Sequence, residues 1–521
     1  MDRKRTSGSP PGSIEINEQF AKALRTMEET SRNVFITGKA GTGKSTLLEY
    51  FRDRARKSLV VLAPTGVAAL NVKGQTIHSF FRFKPNITPD TVKKTKGQKI
   101  YKEVQTIVID EISMVRADLL DCIDRFLRMN GKNRNLPFGG TQMIMIGDLY
   151  QLPPVVTGKE RELFNSRYPS PYFFDADVFH LLDFDFVDLE KIYRQKDSDF
   201  ISLLNSIRNN SIDPAGLKKL NEKVHTDFEP EKGRFFISLT STNRDADEIN
   251  QKRLEDLKPP LRQFQGRIQG NFEEKNLPTS MELCLKRGAQ VMLLNNDSEG
   301  RWVNGSIGKI ISLSKKNEKD PVILVELSEG GVVEVEPYRW DLIRFSYDKE
   351  SKAIESEVEG SFTQFPIRLA WAVTIHKSQG KTFDRVIIDI GRGTFASGQV
   401  YVALSRCTSF DGIVLKRPIQ KHHVLMDWRI VKFMTSFQYR LSEKNLPFDE
   451  KIRTIQMAIE KKESLKIVYL KTSDEKSRRE VTPQSVVEME YKGKPFVGME
   501  GYCHERREIR VFRVDRILEI E

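Results

Sequence analysis

Long apolar runs are missing from this chain: none nears the roughly 18 to 20 residues that a membrane-crossing helix needs. Cysteine is scarce. The four that occur, Cys122, Cys284, Cys407 and Cys503, lie far apart without metal-ligand spacing, which fits a reducing, intracellular setting. The segment Met1–Pro11 lacks the apolar stretch of a secretory signal, and residues 1–14 read as a basic, disordered tail. Acidic residues are outnumbered, 72 Asp and Glu against 84 Lys and Arg, for a net charge of +12. That excess points to a polyanionic partner. Nucleic acid comes before a membrane surface, because no basic amphipathic helix stands out. At 521 residues the chain is too long for one core and predicts three or four domains, for which 39% hydrophobic content is ample.

What is present begins with Val34-Phe35-Ile36-Thr37, a β-prone run that enters a glycine-rich turn and then the helical-looking Leu47-Leu48-Glu49-Tyr50-Phe51. The turn matches G-x-x-x-x-G-K-[ST] at Gly38, Gly43, Lys44 and Ser45, with Lys39, Ala40, Gly41 and Thr42 between the glycines and Thr46 after. Glycines let backbone N–H groups close on a phosphate chain, and the helix start adds partial positive charge. Lys44 can reach β- and γ-phosphates, and the Ser45 hydroxyl can hold Mg²⁺. Thr106-Ile107-Val108-Ile109 then delivers Asp110 and Glu111 at a strand end. Asp110 would complete a Mg²⁺ shell, and Glu111 would orient and deprotonate the attacking water. These residues imply a nucleoside-triphosphate site with ATP and Mg²⁺.

Other positions follow from the order of elements. Gln19, one helix before the loop, either reads an adenine edge with its amide or is a surface residue of a capping helix. Leu59–Ala63 is a buried strand, and ligands gather at the carboxyl ends of such strands, which places Thr65 and Gly66 near a second ligand's backbone. In Thr76-Ile77-His78-Ser79-Phe80-Phe81, His78 and Phe80 could stack on bases, or the Phe pair could belong to the core. Lys93–Lys99 is a basic loop, solvated or touching a strand. Gln151, after the strand Met143–Ile146, sits where it could sense a γ-phosphate, on a turn stiffened by Pro153 and Pro154.

The ordered strings GKAGTGKS, APTGVAA, IHSFF, IVIDEISM and GDLYQLPPV resemble those of superfamily-one DNA helicases of the RecD-like branch. Asp118–Arg128, leading to Pro137–Gln142, resembles the signature segment of the Pif (petite integration frequency) family within it. The resemblance covers about residues 15–419. It implies an α/β fold of two RecA-like lobes, the first at 15–188 with a wedge insertion at about 73–100. The second would run from 189 to 419 with an SH3-like β insertion at about 298–362, where short alternating segments read as a small barrel. It implies Arg194 and Arg406 as arginine fingers, and Gln379 and Gly380 facing the nucleotide. Thr242 and Asn243 at a strand end, Asn304, and the dense string Thr374, His376, Lys377 and Ser378 would join Thr65, Gly66, His78 and Phe80 against single-stranded DNA, held by phosphate and sugar. Further implications are ATP-driven 5′-to-3′ movement in genome maintenance and opening of duplex, forks, RNA–DNA hybrids and G-quadruplexes. A monomer able to pair on DNA, in the cytoplasm of a bacterium and associated with the nucleoid, completes the expectation.

After a helical linker at 420–447, the segment 448–521 resembles the WYL domain, a small Sm-like β fold, although its tripeptide stands here as Gly501-Tyr502-Cys503. Tyr469, Tyr502, Arg507, Arg510 and Phe512 could line a groove pairing stacking surfaces with cations; a packing module or dimer contact is the alternative. Two other functions stay open: a translocase that remodels protein–DNA complexes without opening duplex, and an NTPase switch that takes its signal through the WYL unit.

Overall fold

The computed structural model describes residues 16–95, 99–156, 158, 160–231, 233–317, 320–348, 350–351, 353–391, 393–394, 396–471, 476–491 and 493–521. The tail expected at 1–14, and residues 96–98 of the basic run, lie outside the described residues. The chain divides into two compact units. One comprises Met1–Ser198, His225–Gly391 and Val402–Arg417; the other comprises Asp199–Val224, Arg392–Tyr401 and Pro418–Glu521.

The first unit is built on two parallel sheets. The larger has six strands in the order Gln75–Thr76, Leu59–Ala63, Thr106–Ile109, Gln142–Ile146, Asn33–Gly38 and Phe184–Leu189, every neighbour parallel. Its central strands are almost wholly buried and carry apolar runs such as Ile107–Ile109 and Met143–Ile146, as a sheet with helices on both faces requires. The helix Glu18–Glu29 shows the matching pattern: Asn17 accepts the N–H of Phe20 as its cap, and Phe20, Ala23 and Met27 face the core. The smaller parallel sheet has the order Ala372–Thr374, Ile237–Thr240, Val386–Asp389 and Ile413–Leu415.

Between the first two of these strands the chain makes antiparallel sheets. One has five strands, Val332–Val335, Asp320–Leu327, Ile307–Asn317, Gln290–Leu293 and Ile367–Leu369. Another pairs Tyr338–Tyr347 with Ile354–Gln364 and then Arg267–Gly270, and a third pairs Glu282–Leu285 with Arg262–Gln265. The antiparallel region therefore starts near Arg262, upstream of the expected 298. Arg262–Gln265 and Arg267–Gly270 are polar and largely exposed, so they lack the alternation that announces a strand.

In the second unit, Glu508–Arg513, Lys494–Cys503, Lys476–Tyr491, Leu465–Leu470 and Ile517–Ile520 form an antiparallel sheet in that order. Ile455 and Ala458 of the helix Phe448–Lys461 share its core with Ile467, Val481, Met499 and Phe512. The segment expected as a linker is part of this unit. In its helix Trp428–Asn445, Ser442 Oγ donates to Leu518 O at 2.7 Å and accepts from Lys451 Nζ at 2.8 Å. A helix bonded to a sheet edge in this way is not a free tether.

Candidate functional site

The glycine-rich turn connects the strand Asn33–Gly38 to the helix Lys44–Arg54. Gly41 and Gly43 both have positive φ, +82° and +86°, and a Cβ at Gly41 would stand 2.6 Å from Cβ of Arg194. Glycine is needed here for backbone conformation and for close approach. Gly43 is the N-cap and supplies no side chain, so the helix N–H groups are left to face the loop. Lys44 Nζ donates to the carbonyls of Gly38 (2.7 Å) and Lys39 (3.0 Å), and Thr42 Oγ1 donates to Lys39 O at 2.9 Å. Ala40 is buried, while Ser45 and Thr46 are exposed at the helix start.

Asp110 and Glu111 follow the strand Thr106–Ile109 two strands away in the same sheet. Glu111 has φ +52°, the left-handed region that few side chains other than Asn and Asp adopt readily. Burial pushes the proton affinity of both carboxyls up, and Lys44 pulls both down; the charge of Asp110 adds to the rise at Glu111. The side chain of Gln379, from the turn after Ala372–Thr374, donates to Glu111 Oε2 at 3.2 Å and to Gln151 Oε1 at 3.0 Å. Gln151 in turn donates to Oδ2 of the buried Asp148 at 3.2 Å. One amide thus ties the smaller sheet to the carboxylate and to the Gln151 turn of the larger one. Neighbouring Gly380 is exposed with φ +78°.

Two arginines meet at Ser405. Arg194 Nη1 donates to Ser405 O at 3.1 Å, and Gln195 Nε2 donates to the same carbonyl at 3.1 Å and to Cys407 O at 2.8 Å. Arg406, 1% exposed, donates to Val402 O at 3.0 Å and Ser405 Oγ at 2.9 Å, and its charge reaches Glu111. Gln19 Oε1 accepts the backbone N–H of Glu190 at 2.9 Å, which fixes the amide beside the loop. Sequence reasoning passed over Tyr193. Its ring, 41% exposed, borders Gly43, its N–H donates to Gly41 O at 2.8 Å and its hydroxyl accepts from Asn17 at 3.3 Å. Its place beside Arg194 was the only local signal.

The candidate DNA contacts divide. Thr65 and Thr242 occupy equivalent places, each exposed at the carboxyl end of a parallel strand and each capping the next helix, with bonds of 3.2 Å from Ala68 N and Asp245 N. Gly66 packs under Asn276, whose Oδ1 would collide with an added Cβ. Asn243 and Lys377 are exposed, and His78 and His376 half-buried; burial lowers the proton affinity of His376. Asn304 Nδ2 donates to Asn71 Oδ1 at 3.2 Å and its Oδ1 accepts from Lys381 Nζ at 2.7 Å. Lys381, another position missed, has its pKa lowered to about 8 by burial and by Arg368. Three expectations need correction. Phe80 is 4% exposed and sits edge-on to Phe81 and Tyr101 at 4.9 and 5.5 Å, so it belongs to the core and cannot stack on a base. Ser378 is 0% exposed and donates its hydroxyl to Ile375 O at 2.7 Å. Thr374 is buried, with Oγ1 accepting the N–H of Lys377 at 3.2 Å. Thr374 and Ser378 shape the turn that presents His376 and Lys377.

The supposed C-terminal groove is not one surface. Gly501 pairs with Arg510 and Met499 with Phe512, while Tyr502 pairs with Ile509; side chains alternate, so Tyr502 projects from the face opposite Phe512. Phe512 is buried edge-on to Tyr469 at 5.3 Å. Arg507 turns between the strands with φ +56°, and Arg510 is exposed beside Glu508 at 3.4 Å.

A phosphate loop, a strand-end carboxylate pair and a second parallel sheet reaching the same carboxylate define a P-loop nucleoside triphosphatase with two RecA-like lobes. Comparisons with known proteins agree. Residues 15–216 match the family model described as PIF1-like helicase, and residues 450–521 match that of the WYL domain. The chain is 31% identical over 444 residues to the ATP-dependent DNA helicase Pif1 of Bdellovibrio bacteriovorus, covering 82% of this chain and 94% of the relative. It is 32% identical over 471 residues to ATP-dependent DNA helicase PIF1 of Emericella nidulans, covering 79% of this chain but only 61% of that longer protein. Among solved structures, Bacteroides sp Pif1 in complex with ADP-AlF4 superposes with a TM-score of 0.75 at 37% identity, over 82% of this chain and 98% of that one. The chain belongs to the PIF1-like helicase family. No helix among the described residues is long and apolar enough to cross a membrane.

Proposed function

We propose that the chain is an ATP-dependent DNA helicase that moves 5′ to 3′ along single-stranded DNA and opens duplex ahead of it, in genome maintenance at the bacterial nucleoid. The observation that carries this reading is the Gln379 bridge. Its amide holds Glu111 and Gln151 at once, and His376 and Lys377 lie on the same short turn. A change at the nucleotide therefore has a direct mechanical route to residues that face the strand.

In this reading Lys44 binds the terminal phosphates and the Gly41–Gly43 backbone cradles them. Ser45 and Asp110 offer a hydroxyl and a carboxylate, hard oxygen donors of the kind Mg²⁺ takes beside substrate phosphates. The ion supplies charge neutralisation there when bound. Glu111 orients the attacking water and accepts its proton. Arg194 and Arg406 stabilise the charge that develops on transfer. Gln19 and Tyr193 hold the base. Thr65, Gly66, His78, Thr242, Asn243, Asn304, His376 and Lys377 hold the strand by its backbone, so the motor is indifferent to sequence. Forks, RNA–DNA hybrids and G-quadruplexes are substrates for the same reason, and a second copy can load behind the first on one strand.

Strand separation on matched 5′-tailed and 3′-tailed duplexes, with Lys44→Ala as control, tests the proposal. Opening of the 5′-tailed substrate alone is expected. Opening of neither, with DNA-stimulated ATPase intact, would replace the helicase by a remodelling translocase.

A further inference from the structure

Two exposed valines border Asn304, whose groups already bridge separate segments of the first unit. Its Nδ2 donates to Asn71 Oδ1, at the end of the helix Gly66–Asn71, at 3.2 Å; its Oδ1 accepts from Lys381 Nζ at 2.7 Å; its N–H donates to Asn296 Oδ1 at 2.8 Å. Val303 precedes Asn304 in a tight turn. The N–H of Ser306 donates to Val303 O at 2.9 Å, Ser306 Oγ accepts the N–H of Val303 at 3.1 Å, and Gly305 has φ +106°. Those bonds fix the corner, yet Val303 stays 62% exposed. Val67 lies four residues before Asn71, hence on the same face of that helix, and is 52% exposed. Exposed Thr65, which caps the helix, comes two residues before Val67. The Asn71 amide is only half used: Oδ1 accepts from Asn304, and no described residue accepts from Nδ2.

A single exposed valine is ordinary on a protein surface. Two on different segments, joined through an amide pair that ends in an ammonium, make a composite surface. Each part of it matches one part of a nucleotide. Methyl groups cover the π face of a base, an amide N–H meets an acceptor on its edge, and an ammonium with two further N–H groups to give holds a phosphate. The lysines on this side, Lys377 and Lys381, favour a polyanion over a neutral protein surface as the occupant. We infer that this surface is a base-contact subsite on the strand path: Val67 and Val303 pack against one nucleobase, Asn71 Nδ2 donates to its edge, and Lys381 holds the adjoining phosphate. The inference rests on the proposed strand-binding role of Thr65, Asn304, His376 and Lys377, and adds Val67, Asn71 and Val303 to it. Aliphatic contact does not discriminate among bases, so it suits a strand that slides.

The test uses the full chain without nucleotide, so that hydrolysis plays no part. In a 5′-tailed duplex, one tail position at a time carries an abasic sugar, which keeps the phosphate and removes the base. Wild-type protein and the double variant Val67→Ser/Val303→Ser, with folding verified by melting temperature, are compared by anisotropy. Wild type should lose about three- to tenfold in affinity at one abasic position or two adjacent ones, and little elsewhere. The double variant should bind the intact tail more weakly by a similar factor, and its affinity should no longer respond to that position. Its log–log salt slope should match wild type, because no cation is removed. Losses that add in full overturn the subsite, since valines and base then do not meet. A tail that tolerates an abasic sugar at every position overturns it too. Self-association of wild type that the double variant lacks would give the surface to a second copy and overturn the inference likewise. Wild-type protein that binds no tailed duplex at all overturns the motor reading itself, and the subsite falls with it.

Discussion

Gln379→Ala removes both bonds of the bridging amide, 3.2 Å to Glu111 and 3.0 Å to Gln151, and leaves the phosphate loop untouched. A hydrogen bond to a charged acceptor contributes about 1.5–3 kcal/mol and a neutral one about 0.5–1.5 kcal/mol. If the bond to Glu111 is held in the transition state, its loss lowers turnover by about 10- to 150-fold, since about 1.4 kcal/mol is tenfold in rate. The effect should fall on kcat of the DNA-stimulated reaction. KM for ATP should move little, because the amide makes no bond to the cradle. Steady-state ATPase with and without a single strand separates the two. Of these two bonds, Gln151→Ala removes only the neutral one and spares that to Glu111, so alone it should cost less, and the double variant should be scarcely worse than Gln379→Ala. Stimulation by DNA that stays within twofold of wild type in Gln379→Ala, or full additivity with Gln151→Ala, would refute the coupling role.

Glu111→Gln should retain ATP and DNA binding and lose turnover, as read by filter binding beside single-turnover hydrolysis. Near-normal hydrolysis would remove Glu111 as the base. Lys381 has a pKa lowered to about 8, and a phosphate prefers its ammonium form, so strand affinity should be full below that pH and fall above it. One proton limits the loss to about tenfold per pH unit, and Lys381→Arg should flatten the profile in anisotropy titrations from about pH 7 to about pH 9. Lys451 is 1% exposed, and burial lowers its pKa. In the window between that lowered value and its unfolded value the unfolded state binds more protons, so stability should rise with pH there. Lys451→Met should remove this slope and raise urea resistance at neutral pH by about 1–3 kcal/mol. Truncation before Phe448 should weaken strand binding and leave ATPase largely intact, but it also strips the helix Trp428–Asn445 of its sheet. A cut at Pro418 should therefore give the more soluble product, measured by yield and light scattering.

What was legible in the chain was whatever is contiguous. Gly38 to Ser45 and Asp110–Glu111 each occupy one turn, so strand, loop and helix could be read together. Burial was not legible. His78 and Phe80 stand in one short string, and only contacts with Tyr101 and Phe345 assign Phe80 to the core. Ser378 looked like a donor until its backbone acceptor was in place. The Gln379–Glu111 bond joins positions 268 apart, for which no local pattern exists. Tyr502 and Phe512 were grouped by composition, and the pairing register that puts them on opposite faces depends on how two strands align.

In the smaller parallel sheet, Ser238 pairs with Ala372. On a ribosome the strand Ile237–Thr240 emerges long before its neighbours exist. At about 5–20 residues per second, the 134 residues between those positions take about 7 to 27 s to synthesise. Through that interval a strand that is largely buried in the finished protein has neither edge paired, and the whole antiparallel excursion is made before its partners arrive. Unpaired edges recruit other chains. Slow translation, low temperature or a bound chaperone should therefore govern how much of this protein reaches its native state, more than the stability of the finished sheet does.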